Sequence, residues 1–296
     1  MPRRDRGSTT PRSFQARALR TGLSLAGALA PPLAARAAAR LFLTPPRYQP
    51  PPGEREALAR GEPFEVPLGA GALRAWRFGD GPPVLLVHGW GGRGGQMTSL
   101  VPAVVAAGLS AVAFDGPAHG ASSGRAASVP HFADAVAAVA AHTGARAGLG
   151  HSMGAAGVAL AMIRGLPLEA AVLVAPPRSP DGFVAGFSRA MGLGPRAEAR
   201  LRAQLARRLG IDPAALDLPR MSAGMEAPLL VLHDRDDREV PWAHGAAIAA
   251  AWRGARLVTT SGLGHRRILR DGLVAGEAAA FLARVLRAGG APAAVA

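Results

Sequence analysis

From residue 62 onwards, short apolar runs alternate with longer runs of helical spacing, and this alternation restricts the fold more than any other sequence feature. It is typical of α/β layer folds, in which helices cover a mostly parallel sheet. Continuous apolar runs such as VLLVH are expected of parallel strands that are buried on both faces. The predicted strands are 62–68, 72–78, 84–88, 111–115, 145–150, 170–175, 228–233 and 256–260. The predicted helices are 96–107, 129–142, 153–164, 196–209 and 273–287.

One interval breaks this alternation. Residues 178–227 separate two predicted strands and are too long for an ordinary connection. They contain one helical pattern, so we expect a short helical cap inserted at the edge of the sheet where ligands of open α/β sheets bind. The predicted division is an N-terminal helix and Pro-rich linker at 1–61, an α/β core at 62–177 and 228–290, and the cap at 178–227.

The formal charge of +14 is concentrated at one end, because residues 1–47 contain nine arginines and one acidic residue. The rest of the chain carries +6 and one tyrosine, without a basic stripe that has interleaved aromatics, so nucleic-acid binding is disfavoured. The chain has no cysteine. Disulfides, cysteine metal sites and a cysteine nucleophile are therefore excluded.

The N-terminal segment, residues 1–47, has three interpretations. The apolar run at 21–35 follows a basic start and precedes small residues, as in a secretory signal. Pro31 and Pro32 interrupt that run, and a helical pattern continues beyond them, which favours a retained amphipathic helix. No stretch reaches the ~20 apolar residues of a transmembrane helix, so a membrane anchor is the weakest interpretation. Residues 44–53 are expected to form an extended, polyproline-like linker.

These features predict a cytoplasmic protein, with export as the alternative if the signal interpretation holds. The basic segment at 1–47 is a candidate for peripheral contact with anionic lipid. Nothing in the sequence indicates the oligomeric state.

Ser152 lies in GHSMG at 150–154, a G-x-S-x-G pattern that is weak evidence by itself in a chain with 38 glycines. The sequence on either side of Ser152 strengthens this evidence. A predicted strand precedes Ser152 and a predicted helix follows it, so the serine is expected on a sharp turn at the C-terminal edge of the sheet. The backbone N–H of Met153 then lies at a helix N-terminus, where developing negative charge is favoured.

A serine hydroxyl needs a base, and His265 is the best placed of the eight histidines. It lies in the Gly-rich stretch SGLGHRRIL, after the last predicted strand and at the same sheet edge as Ser152. His151 is expected to be structural, because neighbours on a tight turn point apart. His88 is expected to fix the Gly-rich loop that follows it. Four histidines have no assignable partner: His119, His131, His142 and His244.

The acid that orients His265 has to come from another strand end. Three aspartates follow the predicted strand at 228–233, namely Asp234, Asp236 and Asp237, and Asp181 is a more distant candidate. Their positions alone leave the choice open.

Four stretches in this order make the chain similar to the α/β-hydrolase superfamily, in its cap-bearing serine-hydrolase branch. They are HGWGG at 88–92, DGPAHG at 115–120, GHSMG at 150–154, and HDRDDREVP at 233–241 together with GLGH at 262–265. The resemblance extends over residues 62–288 and implies the α/β-hydrolase fold. The sequence order of nucleophile, acid and base is also the order of this fold.

The resemblance implies roles for individual residues. The D-x-x-V-P pattern of the family starts at Asp237, which implies a triad of Ser152, Asp237 and His265. The backbone N–H groups of Trp90 and Met153 are implied as the oxyanion hole. Family members usually have glycine where this chain has Asp234, which leaves the choice among the neighbouring aspartates partly open. No metal or organic cofactor is implied.

The expected activity is hydrolysis of a carboxylic ester or thioester of a small molecule through an acyl-enzyme. The same triad would also serve amide, peptide or C–C bond cleavage, or perhydrolysis. Two further alternatives are a non-catalytic, membrane-associated binding protein and a serine that only caps a helix. The complete set of Ser152, His265 and Asp237 argues against the binding protein, and a serine that only caps a helix requires the positions of His265 and Asp237 to be coincidences.

Overall fold

A computed structural model describes residues 11–288 and groups the chain into two compact units. The first unit contains the described residues up to Phe42 together with Pro180–Leu216, and the second contains Leu43–Ser179 and the residues from Asp217 onwards. This grouping differs from the division predicted from sequence, because residues 43–61 belong to the unit that contains the sheet.

The second unit is built on one eight-stranded sheet with the order β1-β2-β4-β3-β5-β6-β7-β8. β1 and β2 form an antiparallel hairpin, β2 is antiparallel to β4, and the remaining neighbours are parallel. The strands are β1 (Glu62–Leu68), β2 (Gly71–Phe78), β3 (Pro83–Val87), β4 (Ser110–Phe114), β5 (Ala147–His151), β6 (Ala170–Val174), β7 (Leu229–Asp234) and β8 (Arg256–Thr260). The mostly parallel α/β sheet predicted from the alternation is confirmed, and each predicted strand is present within two residues of its predicted ends.

The central strands are apolar on both sides because helices cover both faces. On one face Leu86, Leu149, Val172 and Leu232 are fully buried together with Leu282 of the last helix. The helices of the described part of this unit are α3 (Pro52–Leu58), α4 (Gly94–Met97), α5 (Val101–Ala106), α6 (Val129–Thr143), α7 (Met153–Ile163), α10 (Leu218–Met221), α11 (Trp242–Ala251), α12 (Gly264–Arg267) and α13 (Gly272–Ala288).

One predicted helix is broken into pieces. The single helix expected at 96–107 is instead α4, a 3₁₀ turn at Thr98–Leu100, and α5. Pro102 lies in the first turn of α5, where its missing N–H needs no partner, whereas the interior of a continuous helix would not accommodate it.

The Pro-rich segment at 44–51 is not a free linker. It is non-helical, as expected, but the two terminal guanidinium nitrogens of Arg47 donate to backbone carbonyls, to Gly120 at 2.9 Å and to Gly124 at 2.9 Å. Pro46 lies against Gly91, and helix α3 begins at Pro52, inside the stretch predicted to be extended. The segment therefore lies along the loops that follow β3 and β4.

The first unit combines the N-terminal helices with the inserted ones. Its helices are α1 (Pro11–Leu29), α2 (Pro31–Leu43), α8 (Asp181–Ala190) and α9 (Pro195–Leu209), with the last residue of α2 assigned to the other unit. Small residues let α1 approach α9 closely, since a Cβ on Gly27 would lie 3.6 Å from that of Ala197. The rings of Phe42 and Phe187 meet edge to face at 5.3 Å.

The described part of the N-terminal segment is helical as far as Leu43 and consists of the two helices α1 and α2. The helical segment is interrupted at Ala30, and Pro31 and Pro32 form the first turn of α2, where proline is well tolerated. None of the helices within residues 11–288 has the length and apolarity needed to cross a bilayer.

Candidate active site

Ser152 lies between the end of β5 and the start of α7, as the sequence context predicts. Its backbone has φ 54° and ψ −122°, a region that a residue with a side chain rarely adopts. The turn is held on both sides, because the Ser152 N–H donates to the Val174 carbonyl at 2.9 Å and its carbonyl accepts from Ala156 at 3.1 Å. A strained serine is thereby fixed at the C-terminal edge of the sheet.

Close backbone approach explains the glycines around this turn. A Cβ on Gly154 would lie 2.3 Å from the carbonyl oxygen of His88, so no other residue fits there without movement of β3. A Cβ on Gly89 would lie 2.9 Å from the Cβ of Ser152. The Gly-rich loop after β3, which contains Trp90, therefore passes directly beside the serine.

His265 and Asp237 come together at the same edge of the sheet. His265 lies in α12 after β8, and its Nδ1 is 2.7 Å from Oδ2 of Asp237, which follows β7. Both side chains are almost fully buried. Because the carboxylate accepts the Nδ1 proton, Nε2 of a neutral His265 is left as the acceptor.

His151 connects this pair to the Ser152 turn. Its Nε2–H donates to the backbone carbonyl of His265 at 2.8 Å, and the two imidazole rings lie 4.6 Å apart. Through this hydrogen bond His151 supports the backbone that carries His265, which is a structural role.

The Asp237 carboxylate is ionised although it is buried. Burial opposes ionisation, but hydrogen bonds from His233 and His265 and from the backbone N–H of Val240 outweigh it and hold the pKa of Asp237 below its usual value. Its Oδ1 accepts from the N–H groups of Glu239 and Val240, both at 2.8 Å, which leaves Oδ2 for the imidazole.

The two competing aspartates bind groups of β8 and of the following loop, and neither contacts the imidazole of His265. Oδ2 of Asp234 accepts from the Thr260 hydroxyl at 2.7 Å and from the Leu263 N–H at 3.1 Å, and Asp236 accepts from the Gly262 N–H at 2.8 Å. Both therefore hold the loop that carries His265, which gives the unusual Asp234 a structural role. The fourth candidate, Asp181, lies in the first unit and pairs with Arg202.

Two histidines organise the loop after β3. Nε2 of His88 accepts from Gly116 at 2.8 Å and its Nδ1–H donates to Gly89 at 2.7 Å, as expected of a residue that fixes this loop. Nε2 of His119 accepts from the N–H of Gly91 at 2.9 Å, and its Nδ1–H donates to Pro117 at 2.9 Å. The role of His119 was not predicted from sequence, because its partner lies 28 residues away.

The remaining histidines lie in structural positions. His131 contacts the N-cap Ser128 of α6, and His142 stacks on Phe64. Nδ1 of His244 lies 3.5 Å from the N–H of Arg178. Within residues 11–288, no three His, Asp or Glu side chains form a group that could hold a metal ion.

Acid is expected to destabilise the fold through the buried histidines. Burial lowers the pKa of His88 and of His151 from 6.5 to about 3, and that of His119 to about 4. In the unfolded chain each of them takes up a proton near pH 6.5. The folded pKa values are depressed, so the stability that neutral histidine contributes is present above pH 6.5 and is lost as the pH falls towards 4. Each of the three adds about 1.4 kcal/mol per pH unit to this loss.

Urea unfolding at a series of pH values measures this slope, and His119→Gln is the matched variant. The glutamine oxygen can still accept from Gly91 but takes up no proton, so the slope between about pH 6 and pH 4.5 is expected to fall by about 1.4 kcal/mol per pH unit. An unchanged slope in His119→Gln would contradict the lowered pKa of His119 in the folded protein.

Comparisons with known proteins agree with this architecture. The model of the alpha/beta hydrolase family matches residues 84–278. Among solved structures, an esterase from Pyrococcus furiosus superposes with a TM-score of 0.65 at 16% identity, covering 82% of this chain and 97% of its own. An esterase from Rhodococcus sp. ECU1013 superposes at 0.58 and 19% identity, covering 76% and 99%. A bromoperoxidase from Bacillus anthracis superposes at 0.59 and 17% identity, covering 75% and 99%.

The search of curated proteins gave no match. The matched residues amount to about two thirds of the chain and span the strands that carry Ser152, Asp237 and His265. The chain belongs to the alpha/beta hydrolase family. The structural neighbours share its fold, and the activity of this chain has to be argued from its own residues.

Proposed function

We propose that the chain is a serine hydrolase that cleaves a carboxylic ester or thioester of a small molecule, with Ser152 as nucleophile, His265 as general base and Asp237 as the acid that orients the base. The contact between His265 Nδ1 and Asp237 Oδ2 at 2.7 Å carries this proposal, since it leaves Nε2 free to take a proton from a hydroxyl. The strained backbone of Ser152 supports it, because such outliers persist where a side chain has to be presented.

The reaction proceeds in two steps. His265 removes the proton of Ser152 as its Oγ attacks the carbonyl carbon, and the same proton is given to the leaving alcohol or thiol. Water, activated by His265, then cleaves the acyl-enzyme and releases the acid. Asp237 stays ionised throughout and stabilises the imidazolium that forms in each step.

The backbone N–H groups of Trp90 and Met153 are the proposed donors to the oxyanion. Met153 is the first residue of α7, so its N–H has no partner within the helix and lies at the positive end of the helix dipole. Trp90 follows Gly89, whose backbone lies beside Ser152, and the loop is held in place by His88 and His119.

An ester panel tests the proposed reaction. The purified chain is incubated with p-nitrophenyl esters from acetate to palmitate and with acyl thioesters, and kcat/KM is measured for each. We expect hydrolysis well above the uncatalysed rate for at least one acyl length, with an inactive His265→Ala variant as the control. Equal rates for the wild type and His265→Ala across the whole panel would contradict the proposal.

Peracid formation is the second reaction to assay, because a bromoperoxidase is among the structural neighbours. In that reaction hydrogen peroxide replaces water in the attack on the acyl-enzyme, and a peracid leaves in place of the acid. Adding peroxide to the same panel measures the partition between the two products. Both reactions require the same three side chains.

A further inference from the structure

Residues 43–58 precede the part of the chain that the family model matches, and they contact loops of the candidate active site. The loop after β3, residues 88–93, is called the Trp90 loop, and it carries one of the proposed oxyanion donors. Strands β3, β4 and β5 are parallel, so the loops that follow β3 and β4 lie at the same edge of the sheet as Ser152. The segment 43–58 contacts both of these loops.

Glu54 in α3 forms a bidentate ion pair with Arg93, the last residue of the Trp90 loop. Nε of Arg93 donates to one carboxylate oxygen at 2.5 Å, and Nη2 donates to the other at 2.8 Å. Only 12% of the Arg93 side chain and 13% of the Glu54 side chain are exposed. Two parallel hydrogen bonds fix the direction of the guanidinium as well as its distance, so the pair holds the end of the loop in one orientation.

The position of Arg93 depends on Glu54. Among residues 11–288, Glu54 is the one acidic side chain that forms a salt bridge with Arg93. A buried charge that loses its partner is strongly unfavourable, so without Glu54 the loop is expected to move and bring Arg93 to water. The fit is close, because a Cβ on Gly95 would lie 2.8 Å from Oε2 of Glu54 and would displace the carboxylate.

Two residues before α3 attach the same segment at further points. Arg47 donates to two backbone carbonyls of the loop after β4. That loop contains His119, which accepts the N–H of Gly91 at 2.9 Å. Pro46 contacts the Trp90 loop directly, since a Cβ on Gly91 would lie 3.3 Å from the proline ring. The Trp90 loop is therefore held one residue after Trp90 as well as at its end.

We propose that Glu54 is a positioning residue for ester hydrolysis, which acts through Arg93 to hold the Trp90 loop with the backbone N–H of Trp90 directed at the oxyanion. This inference rests on the proposed function, because the oxyanion belongs to the acyl-transfer reaction of Ser152. A donor stabilises the transition state when it is fixed in place beforehand, and loss of one donor lowers kcat by about 10²–10³-fold. An interaction that strengthens only in the transition state affects kcat more than KM.

Glu54→Ala tests the ion pair, with Glu169→Ala as the matched control. Glu169 forms the same bidentate pair with Arg146, at 2.5 and 2.7 Å, but at the starts of β5 and β6 and therefore at the opposite edge of the sheet. We expect Glu54→Ala to lower kcat for the best ester by about tenfold or more, with KM within about threefold. Glu169→Ala should leave both constants within about twofold of the wild type.

Two further variants separate positioning from folding. Arg93→Lys keeps the charge but loses the bidentate geometry, so it is expected to lose less of kcat than Arg93→Ala. Arg47→Ala alters an exposed side chain and should fold, but it detaches the segment from the loop after β4. We expect it to lower kcat by about threefold.

Hydrogen–deuterium exchange measures the loop without a substrate. The N–H groups of Gly91, Gly92 and Gly94 are hydrogen bonded, so their exchange reports local opening. We expect exchange at least about tenfold faster in Glu54→Ala and unchanged in Glu169→Ala. A wild type that hydrolyses no ester would contradict the proposed function, whereas the exchange rates would still decide whether Glu54 holds the loop.

Three results would overturn the proposal. A folded Glu54→Ala variant with kcat within about twofold of the wild type would show that the ion pair does not serve the reaction. An equal fall of kcat in Glu54→Ala and Glu169→Ala would assign the effect to general stability. Unchanged exchange at Gly91, Gly92 and Gly94 in Glu54→Ala would show that Glu54 does not hold the loop.

Discussion

Replacing Ser152 with alanine is expected to lower kcat/KM for the best ester by about 10⁴-fold or more, with little change in the melting temperature. The hydroxyl is the group that forms the acyl-enzyme, so no other side chain can replace it. Steady-state hydrolysis and thermal unfolding, measured on the same preparation, separate the loss of the nucleophile from a loss of folding.

Ser261→Ala is the matched control. Ser261 is exposed and lies four residues before His265 at the same edge of the sheet. Its replacement is expected to change kcat/KM by less than about twofold, in keeping with the small effects of most surface substitutions. If Ser152→Ala kept more than about a tenth of the activity, the role of the serine would be wrong.

Replacing Asp237 with asparagine is expected to lower kcat by about 10⁴-fold with a nearly unchanged KM. Oδ1 of the asparagine can still accept from Glu239 and Val240, so the amide –NH₂ replaces Oδ2 opposite His265. An amide donor facing Nδ1 forces the tautomer that carries its proton on Nε2. Such an imidazole cannot take the proton of Ser152.

Asp234→Asn and Asp236→Asn are the comparison variants for Asp237→Asn. Both side chains bind backbone N–H groups, whereas Asp237 binds the imidazole of His265. Their effect on kcat is expected to stay within about tenfold, and Asp234→Asn should mainly lower the melting temperature. A loss of about 10⁴-fold in Asp234→Asn with an active Asp237→Asn would reassign the acid.

The strands and the positions of the candidate site could be predicted because their signals are local. Continuous apolar runs identified the sheet, and Gly150 and Gly154 mark a turn that leaves no room for a Cβ at Gly154. The aspartates were harder to separate. Asp234 contacts Thr260 of β8, Asp236 contacts Gly262 in the next loop, and Asp237 contacts His265 in α12. Sequence spacing does not contain that information.

Other features either have no clear pattern in the local sequence or depend on contacts between distant parts of the chain. Helix α11 was missed because its sequence, WAHGAAIAAA, is rich in small residues and lacks a polar face with helical spacing. Helix α8 was missed within the predicted cap. The helical character of the N-terminal segment could be predicted. Its packing against α9 could not, because Gly27 and Ala197, which meet there, are 170 residues apart in sequence.

The most direct test of the central claim is mass-spectrometric mapping of the fluorophosphonate adduct on the wild-type protein, beside the His265→Ala variant. The probe phosphonylates a serine only when the hydroxyl is activated by a base. We predict one adduct per chain, on the peptide that contains Ser152, and its loss in folded His265→Ala. An adduct on a different serine, or labelling of Ser152 that does not depend on His265, would contradict the proposed active site.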